Sequence, residues 1–516
     1  MTTTAHKDAP NILVIQLDQM TPGALPAYGH PLVKAPHMDA LAADGVVFEN
    51  AYTNFPLCVP SRMSMMAGRL AHNIGSWDNA MEMPAAVPTM AHYLRSVGYS
   101  ATLAGKMHFI GPDQMHGFGD RVSTDVYPSN FAWTPDWIEG ETYRPTGINM
   151  RAVVDAGLCV RSLQIDYDDE VEHAGLQKIH DLARFSDGQP FFLTVSFTHP
   201  HSPFVTTQKY WDLYDHDAVD MPAVPPIPVE ELDEFSRWLH YAHAAEKHTV
   251  TEEHVRTARH AYYGMCSYID DKVGRIIDTM TETGLLDDTV VVFTADHGEM
   301  LGERGMWFKQ AFFEQSTRVP LIVRYPKAFS AGRVDKLVSL VDLIPTFMDV
   351  ATDGNAPEPV SPLDGHSLTG LMSGGDSGWD NTVISEYTGE GVIAPCRMIR
   401  RDDTKYIYTH GHPGMMFNLA DDPLELENLV GRPETAELEK QLLADLLDGW
   451  DPDAISEQCI QSQKERLFIQ EATGGEPNWA YRFRPDDGSR FVRNGSAVGT
   501  KIKARYPFVE PTPFER

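Results

Sequence analysis

The strongest constraint on the fold is a construction that recurs four times, a short run of branched and aromatic apolar residues that stops at ionisable side chains. Asn11–Leu17 ends at Asp18, Tyr99–Gly105 runs into Lys106-Met-His108, Pro190–Thr198 into His199-Pro-His201, and Thr289–Ala295 into Asp296-His297. Each run is too short for an independent helix and lacks the polar alternation of a half-exposed strand. That is the pattern of a parallel strand covered on both faces. In open α/β sheets ligands gather at the carboxyl ends of strands, so these ionisable residues are expected to converge on one site.

Helical patterns fall between the strands. Thr89 is placed to cap a helix that runs through Val97 and stops at Gly98. A longer helix starts near Thr251 and carries Val255, Ala258, Tyr262, Ile269, Val273, Ile276 and Met280 at mixed three- and four-residue spacings, the signature of core contacts. Strands alternating with helices predict an α/β fold whose large doubly wound mixed-sheet domain spans residues 1–375. The small polar run Ser373–Gly378 marks a boundary. Beyond it, Thr382–Tyr387 and Thr404–Thr409 read as strands of a smaller C-terminal α+β domain, residues 376–455. From Ser456 to Arg516 regular periodicity fades into an extended tail ending in Pro507-Phe-Val-Glu-Pro-Thr-Pro-Phe514; its near-neutral charge on an acidic body leads us to expect a homo-oligomer.

With 42 Lys and Arg against 73 Asp and Glu, the net charge is -31, which disfavours nucleic acid and anionic membranes as partners. The first residues, Met-Thr-Thr-Thr-Ala-His-Lys-Asp, lack the basic segment and apolar run of a secretory signal, so a cytoplasmic location is expected. Five widely spaced cysteines, Cys58, Cys159, Cys266, Cys396 and Cys459, do not form a disulfide framework.

Cys58 is set apart by its neighbours. Cys58-Val-Pro60-Ser-Arg62 fits a C-x-P-x-R element, Met63–Arg69 follows it, and Gly98-Tyr-Ser-Ala-Thr-Leu-Ala-Gly-Lys106-Met-His108 lies downstream. Together with Asp18-Gln19 and Asp296-His297, in that order along the chain, these motifs resemble the sulfatase family. The resemblance implies that Cys58 is oxidised by a formylglycine-installing enzyme to formylglycine, whose hydrate attacks sulfur. It further implies a divalent cation held by Asp18, Gln19, Asp296 and His297. Gln19 stands where a second Asp is usual and His297 where Asn is common. Two carboxylates in an oxygen-rich shell favour calcium, and the imidazole leaves manganese or magnesium open.

The same resemblance assigns Arg62 and Lys106 to the aldehyde hydrate, Lys309 and His201 to the sulfate and its leaving oxygen, and His108 to the base that takes the second hydroxyl proton. Positive charge around the sulfuryl group is what such a reaction requires, because its anionic oxygens repel attack. His199 reads instead as a structural hydrogen-bonding residue.

Within the sulfatases, Asp18-Gln19, Gly105–Phe118, Thr124-Asp-Val-Tyr-Pro128 and Trp133-Thr-Pro-Asp-Trp137 resemble the enzymes that hydrolyse choline sulfate. That substrate carries a quaternary ammonium, for which Trp133 offers a ring face and Glu386 a carboxylate, with Asn79 as a polar contact. Two alternatives stay open: hydrolysis of a related phosphonate or phosphate ester, and a non-catalytic anion-binding protein if Cys58 remains a thiol.

Overall fold

The structure, a computed structural model, describes residues 9–376 and 378–475, with 479 and 507 as isolated positions. Its centre is an eight-stranded sheet of β1 (Asn11–Leu17), β2 (Val46–Tyr52), β3 (Ser100–Gly105), β4 (Asp120–Arg121), β5 (Phe191–Ser196), β6 (Thr289–Ala295), β7 (Leu321–Arg324) and β8 (Gly332–Ser339). The spatial order is β8-β2-β7-β6-β1-β5-β3-β4. Only β7 runs antiparallel to its neighbours, so the sheet is mixed, as the sequence pattern predicts.

The four strands read from the sequence are therefore adjacent: β6, β1, β5 and β3. Their register aligns their carboxyl ends, with Leu17 opposite Ala295, Gln16 opposite Ser196, and Gly105 opposite Ser196. Every residue of β5 and β6 is buried, because helices and loops cover both faces.

Helix α1 (Cys58–Ala67) ends at Gly68, whose φ of 63° is left-handed, and α2 (Leu163–Phe185) packs on β3 and β5. The long predicted helix is α3 (Glu252–Glu282), capped by the Thr251 side chain, with Ala258, Tyr262, Ile269, Val273, Ile276 and Met280 buried. A shorter one, Met90–Ser96, carries a capping box between Thr89 and His92.

Beyond residue 375 an antiparallel sheet follows, in the order β9 (Thr382–Tyr387), β10 (Cys396–Arg401), β11 (Thr404–Thr409), β12 (Met415–Asn418). Its inner side does not form a separate core. Val383, Tyr387, Met398, Ile407 and Met415 share one apolar cluster with Tyr52, Phe55, Trp77 and Phe312.

The start of the tail differs from expectation. Pro452–Ala472 is a 21-residue helix, α4, opened by Asp451 accepting from the Asp453 and Ala454 N–H groups. Its buried positions Ile455, Cys459, Gln463 and Arg466 recur at helical spacing, but two are polar, so no apolar stripe advertises the helix. Gln463 accepts from the Trp137 N–H at 3.0 Å, and Arg466 forms a bidentate pair with buried Asp78 at 2.6 and 2.7 Å. The rest of the predicted tail, residues 476–516, lies outside the described residues apart from positions 479 and 507. No helix among the described residues is long and apolar enough to cross a membrane.

Candidate active site

The C-x-P-x-R element forms the first turns of α1, and the helix explains its spacing. Cys58 and Arg62 are four residues apart, hence on one face, and Pro60 falls in the first turn, where a missing N–H costs no helical bond. Asn79 Oδ1 accepts from the Val59 N–H at 3.0 Å, satisfying one of the free donors at this end. Ser61 Oγ donates to the Asp296 carbonyl at 2.6 Å, tying α1 to the end of β6.

Around Cys58 the strand ends converge. Asp18, Cys58, Asp296 and His297 each offer a ligand atom within 4.8 Å of the others, and all four are buried. His297 Nε2 is 3.3 Å from Cys58 Sγ and 3.6 Å from one oxygen of each carboxylate. Burial lowers its pKa to about 3, so it stays neutral, as a ligating imidazole must. Arg62 Nε donates to Asp296 Oδ2 at 2.8 Å and Nη1 to the Lys106 carbonyl at 2.8 Å, while Nη2 lies 3.5 Å from Asp18 Oδ2. Lys106 Nζ pairs with Asp18 Oδ2. Burial would raise the Asp296 pKa, but Arg62, with Lys106 and the Gln19 N–H, holds it well below the usual carboxylate range. Burial brings Lys106 down to about 7. Two buried carboxylates, an amide and a neutral imidazole suit a hard divalent cation, so the residues present fit one.

Gln19 and Lys309 are brought together: Lys309 Nζ donates to Gln19 Oε1 at 2.8 Å and lies 2.5 Å from His201 Nε2. Burial, then Lys309, pushes His201 well below its ordinary pKa. His199 is held by Asp168, at 2.6 Å from its Nδ1, and its carbonyl accepts from the Asp18 N–H at 3.4 Å, so it braces the end of β1.

A cavity of about 340 Å³ opens above Cys58, lined by Asn79, Tyr127, Trp133, His201 and Lys309 among others. Tyr127 was not singled out in the sequence, although it sits in the quoted Thr124–Pro128 motif. Its hydroxyl is 3.2 Å from His201 Nδ1, and Lys106 Nζ lies 4.3 Å from its ring centre. His108 stands behind the Tyr127 and Trp133 rings, at centroid distances of 5.2 and 5.4 Å. Both of its ring nitrogens lack a hydrogen-bond partner among the described residues, and burial with Lys106 lowers its pKa well below the usual value. Cys58 Sγ has the His297 imidazole as a hydrogen-bond partner.

Glu386 is not brought to the cavity. It accepts from the His72 N–H at 3.0 Å and pairs with His72 Nδ1 at 2.7 Å and Arg397 at 3.2 Å. Against the upward push of burial, Arg397 and His72 hold it below the usual carboxylate range, so its charge is already neutralised. A second carboxylate of the same segment, Glu390, stands behind Asn79, which lines the cavity. Its Oε1 accepts from Asn79 Nδ2 at 2.9 Å, while its buried Oε2 has no hydrogen-bond partner among the described residues. Burial, with Asp78 nearby, pushes its pKa up to about 7.

The family profile described as Sulfatase matches residues 10–353. The chain belongs to the sulfatase family. A second profile, N-sulphoglucosamine sulphohydrolase, C-terminal, matches residues 302–450 of this sulfatase. The sulfatase is 40% identical over 510 residues to a choline-sulfatase of Rhizobium meliloti, covering 96% of this chain and 98% of that protein. It is 30% identical to arylsulfatase K of Bos taurus, over 85% of this chain and 82% of that one. Among solved structures it is similar to the phosphonate monoester hydrolase of Agrobacterium radiobacter, with a TM-score of 0.68, 26% identity and coverage of 85% and 95%. Family membership implies a divalent metal and a formylglycine derived from the cysteine, and the buried Asp18–Cys58–Asp296–His297 group is consistent with both.

Proposed function

We propose that this sulfatase hydrolyses choline sulfate to choline and inorganic sulfate, with formylglycine made from Cys58 as nucleophile. The observation that carries the reading is the cavity at Cys58, which is lined both by Lys309 and His201, suited to a sulfate, and by the Trp133 and Tyr127 rings and the Asn79 amide, which holds Glu390. A sulfate ester bearing a cation a few bonds away needs both kinds of lining. Identity to the Rhizobium meliloti choline-sulfatase along nearly the whole chain supports the same substrate.

As a thiol, Cys58 is poorly suited to attack. Burial pushes it up to about 11, so little thiolate exists at neutral pH, although Lys309 and Arg62 pull the other way. Hydrated formylglycine supplies a hydroxyl nucleophile in its place, and loss of the proton from the second hydroxyl releases sulfate. Arg62 and Lys106 orient the hydrate from below. Lys309 binds sulfate oxygens, and His201, held by Lys309 and Tyr127, faces the leaving oxygen. His108, neutral and with neither ring nitrogen hydrogen-bonded among the described residues, takes the second hydroxyl proton. The positive end of α1 points at the same place and favours the anionic group.

Asp18, Gln19, Asp296 and His297 would hold the cation, which would supply positive charge to the reacting group; the oxygen-rich donors favour calcium over manganese or magnesium. Trp133 contributes a ring face to the trimethylammonium, and Glu390 a carboxylate. A formylglycine-installing enzyme is the required partner, and the C-terminal tail joins copies of the chain into an oligomer.

The reading is tested by product analysis. Purified protein should release inorganic sulfate from choline sulfate faster than phosphate from phosphocholine or a matched phosphonate ester. The reverse preference would move the assignment to phosphonate monoester hydrolysis.

A further inference from the structure

Gln19 differs from a carboxylate ligand in one respect: its two ends are unlike, and only the oxygen can face a cation. We propose that Glu299 is the positioning residue that sets the orientation of the Gln19 amide, and through it the place of Lys309. The inference rests on the assignment of Gln19 to the cation made above.

The hydrogen bonds determine the orientation from both ends. Gln19 Nε2 donates to Glu299 Oε2 at 2.5 Å, and Gln19 Oε1 accepts from Lys309 Nζ at 2.8 Å. Turning the amide over would set its NH₂ against an ammonium and its oxygen against a carboxylate. Gln19, Glu299 and Lys309 are all fully buried, so water cannot relieve either mismatch. The backbone leaves no other freedom: Gln19 has a φ of 65°, and its N–H donates to Asp296 Oδ1 at 3.2 Å. Glu299 divides its labour between its two oxygens. Oε1 accepts from the Leu301 and Phe308 N–H groups at 3.0 and 2.6 Å, bracing the loop, while Oε2 has Gln19 as its one hydrogen-bond partner among the described residues. Because Lys309 Nζ lies 2.5 Å from His201 Nε2, Glu299 fixes a buried chain of three groups that ends at the cavity.

The isosteric change Glu299→Gln separates the two duties. The new side chain keeps one oxygen for the two loop N–H groups and turns its NH₂ toward that of Gln19, which forces the Gln19 amide over. Chelator-treated protein titrated with calcium alone and with manganese alone in a calorimeter should bind the preferred cation about 10- to 100-fold more weakly, with little change in thermal midpoint. The exchange Gln19→Glu/Glu299→Gln restores the donor–acceptor pattern and should return affinity at least to the wild-type level, because the carboxylate has only moved along the chain of bonds. Wild-type affinity in Glu299→Gln, or no recovery in the double variant, overturns the inference and leaves Glu299 as a loop brace. If Glu299→Gln does not fold, the double variant decides: folding with wild-type affinity supports the inference, and failure to fold overturns it. Gln19→Ala serves as control. Weakened binding there with unchanged binding in Glu299→Gln overturns only the positioning role, whereas wild-type binding in Gln19→Ala removes Gln19 from the cation and overturns both readings.

Discussion

Replacing Glu390 by Gln should convert this sulfatase from one that favours a cationic ester into one that treats cationic and neutral alkyl sulfates more nearly alike. The substitution keeps an oxygen for Asn79 Nδ2 and removes only the charge. A carboxylate and a trimethylammonium about 4 Å apart attract by about 4 kcal/mol at an effective dielectric of about 20, and desolvation of both groups offsets part of that, leaving about 2–3 kcal/mol. At about 1.4 kcal/mol per tenfold, the ratio of kcat/KM for choline sulfate to that for an uncharged alkyl sulfate should fall about 30- to 140-fold. The ratio should also depend on pH in a definite direction. Burial and Asp78 raise Glu390 to about 7, while Lys309 and the Asn79 hydrogen bond pull it down, so the attracting carboxylate forms as pH rises through that region. Preference for the cationic ester should therefore grow with pH near neutrality and become flat in Glu390→Gln. Taking a ratio cancels the ionisation of Lys106, also near 7, which acts on the sulfate end of both esters. Steady-state kinetics on both substrates from pH 6 to 8 is the assay. A ratio unchanged in the folded variant, or one that falls with pH in the wild type, would refute the assignment of Glu390.

Two other outcomes follow from the same structure. Arg466→Ala leaves buried Asp78 unpaired beside Asn79 and should destabilise the protein by about 3–5 kcal/mol in chemical denaturation, whereas Asp78→Asn/Arg466→Met should lose much less; equal losses would mean that the pair carries no special cost. A chain ending at Gly475 should sediment as smaller assemblies than the full chain, and an unchanged oligomer would reject the tail as the joining element.

The strand ends were readable because β1, β5 and β6 are buried on both faces and so appear as uninterrupted apolar runs with polar stops. Their adjacency in the sheet, which makes one site of four motifs, was not contained in any single run. The choice between Glu386 and Glu390 was unreadable for a local reason. Both lie in Ser385-Glu-Tyr-Thr-Gly-Glu390, but Glu386 is still on β9, opposite Arg397 of β10, whereas Glu390 follows the strand's end and reaches Asn79. Helix α4 was missed because its buried positions include Gln463 and Arg466, whose partners Trp137 and Asp78 are distant in the chain. Tyr127 offered no pattern beyond its motif. The Glu299 contact with Gln19 required the fold that brings the end of β1 beside the segment after β6.

The central claim is that turnover belongs to formylglycine at position 58. The most direct measurement is the mass of the peptide containing residue 58, compared with specific activity across preparations made with and without the formylglycine-installing enzyme. Aldehyde-bearing peptide should be lighter than the cysteine form, activity should rise in proportion to its fraction, and Cys58→Ala should be inactive yet folded. Full activity in a preparation whose peptide carries only the unmodified thiol would contradict the account.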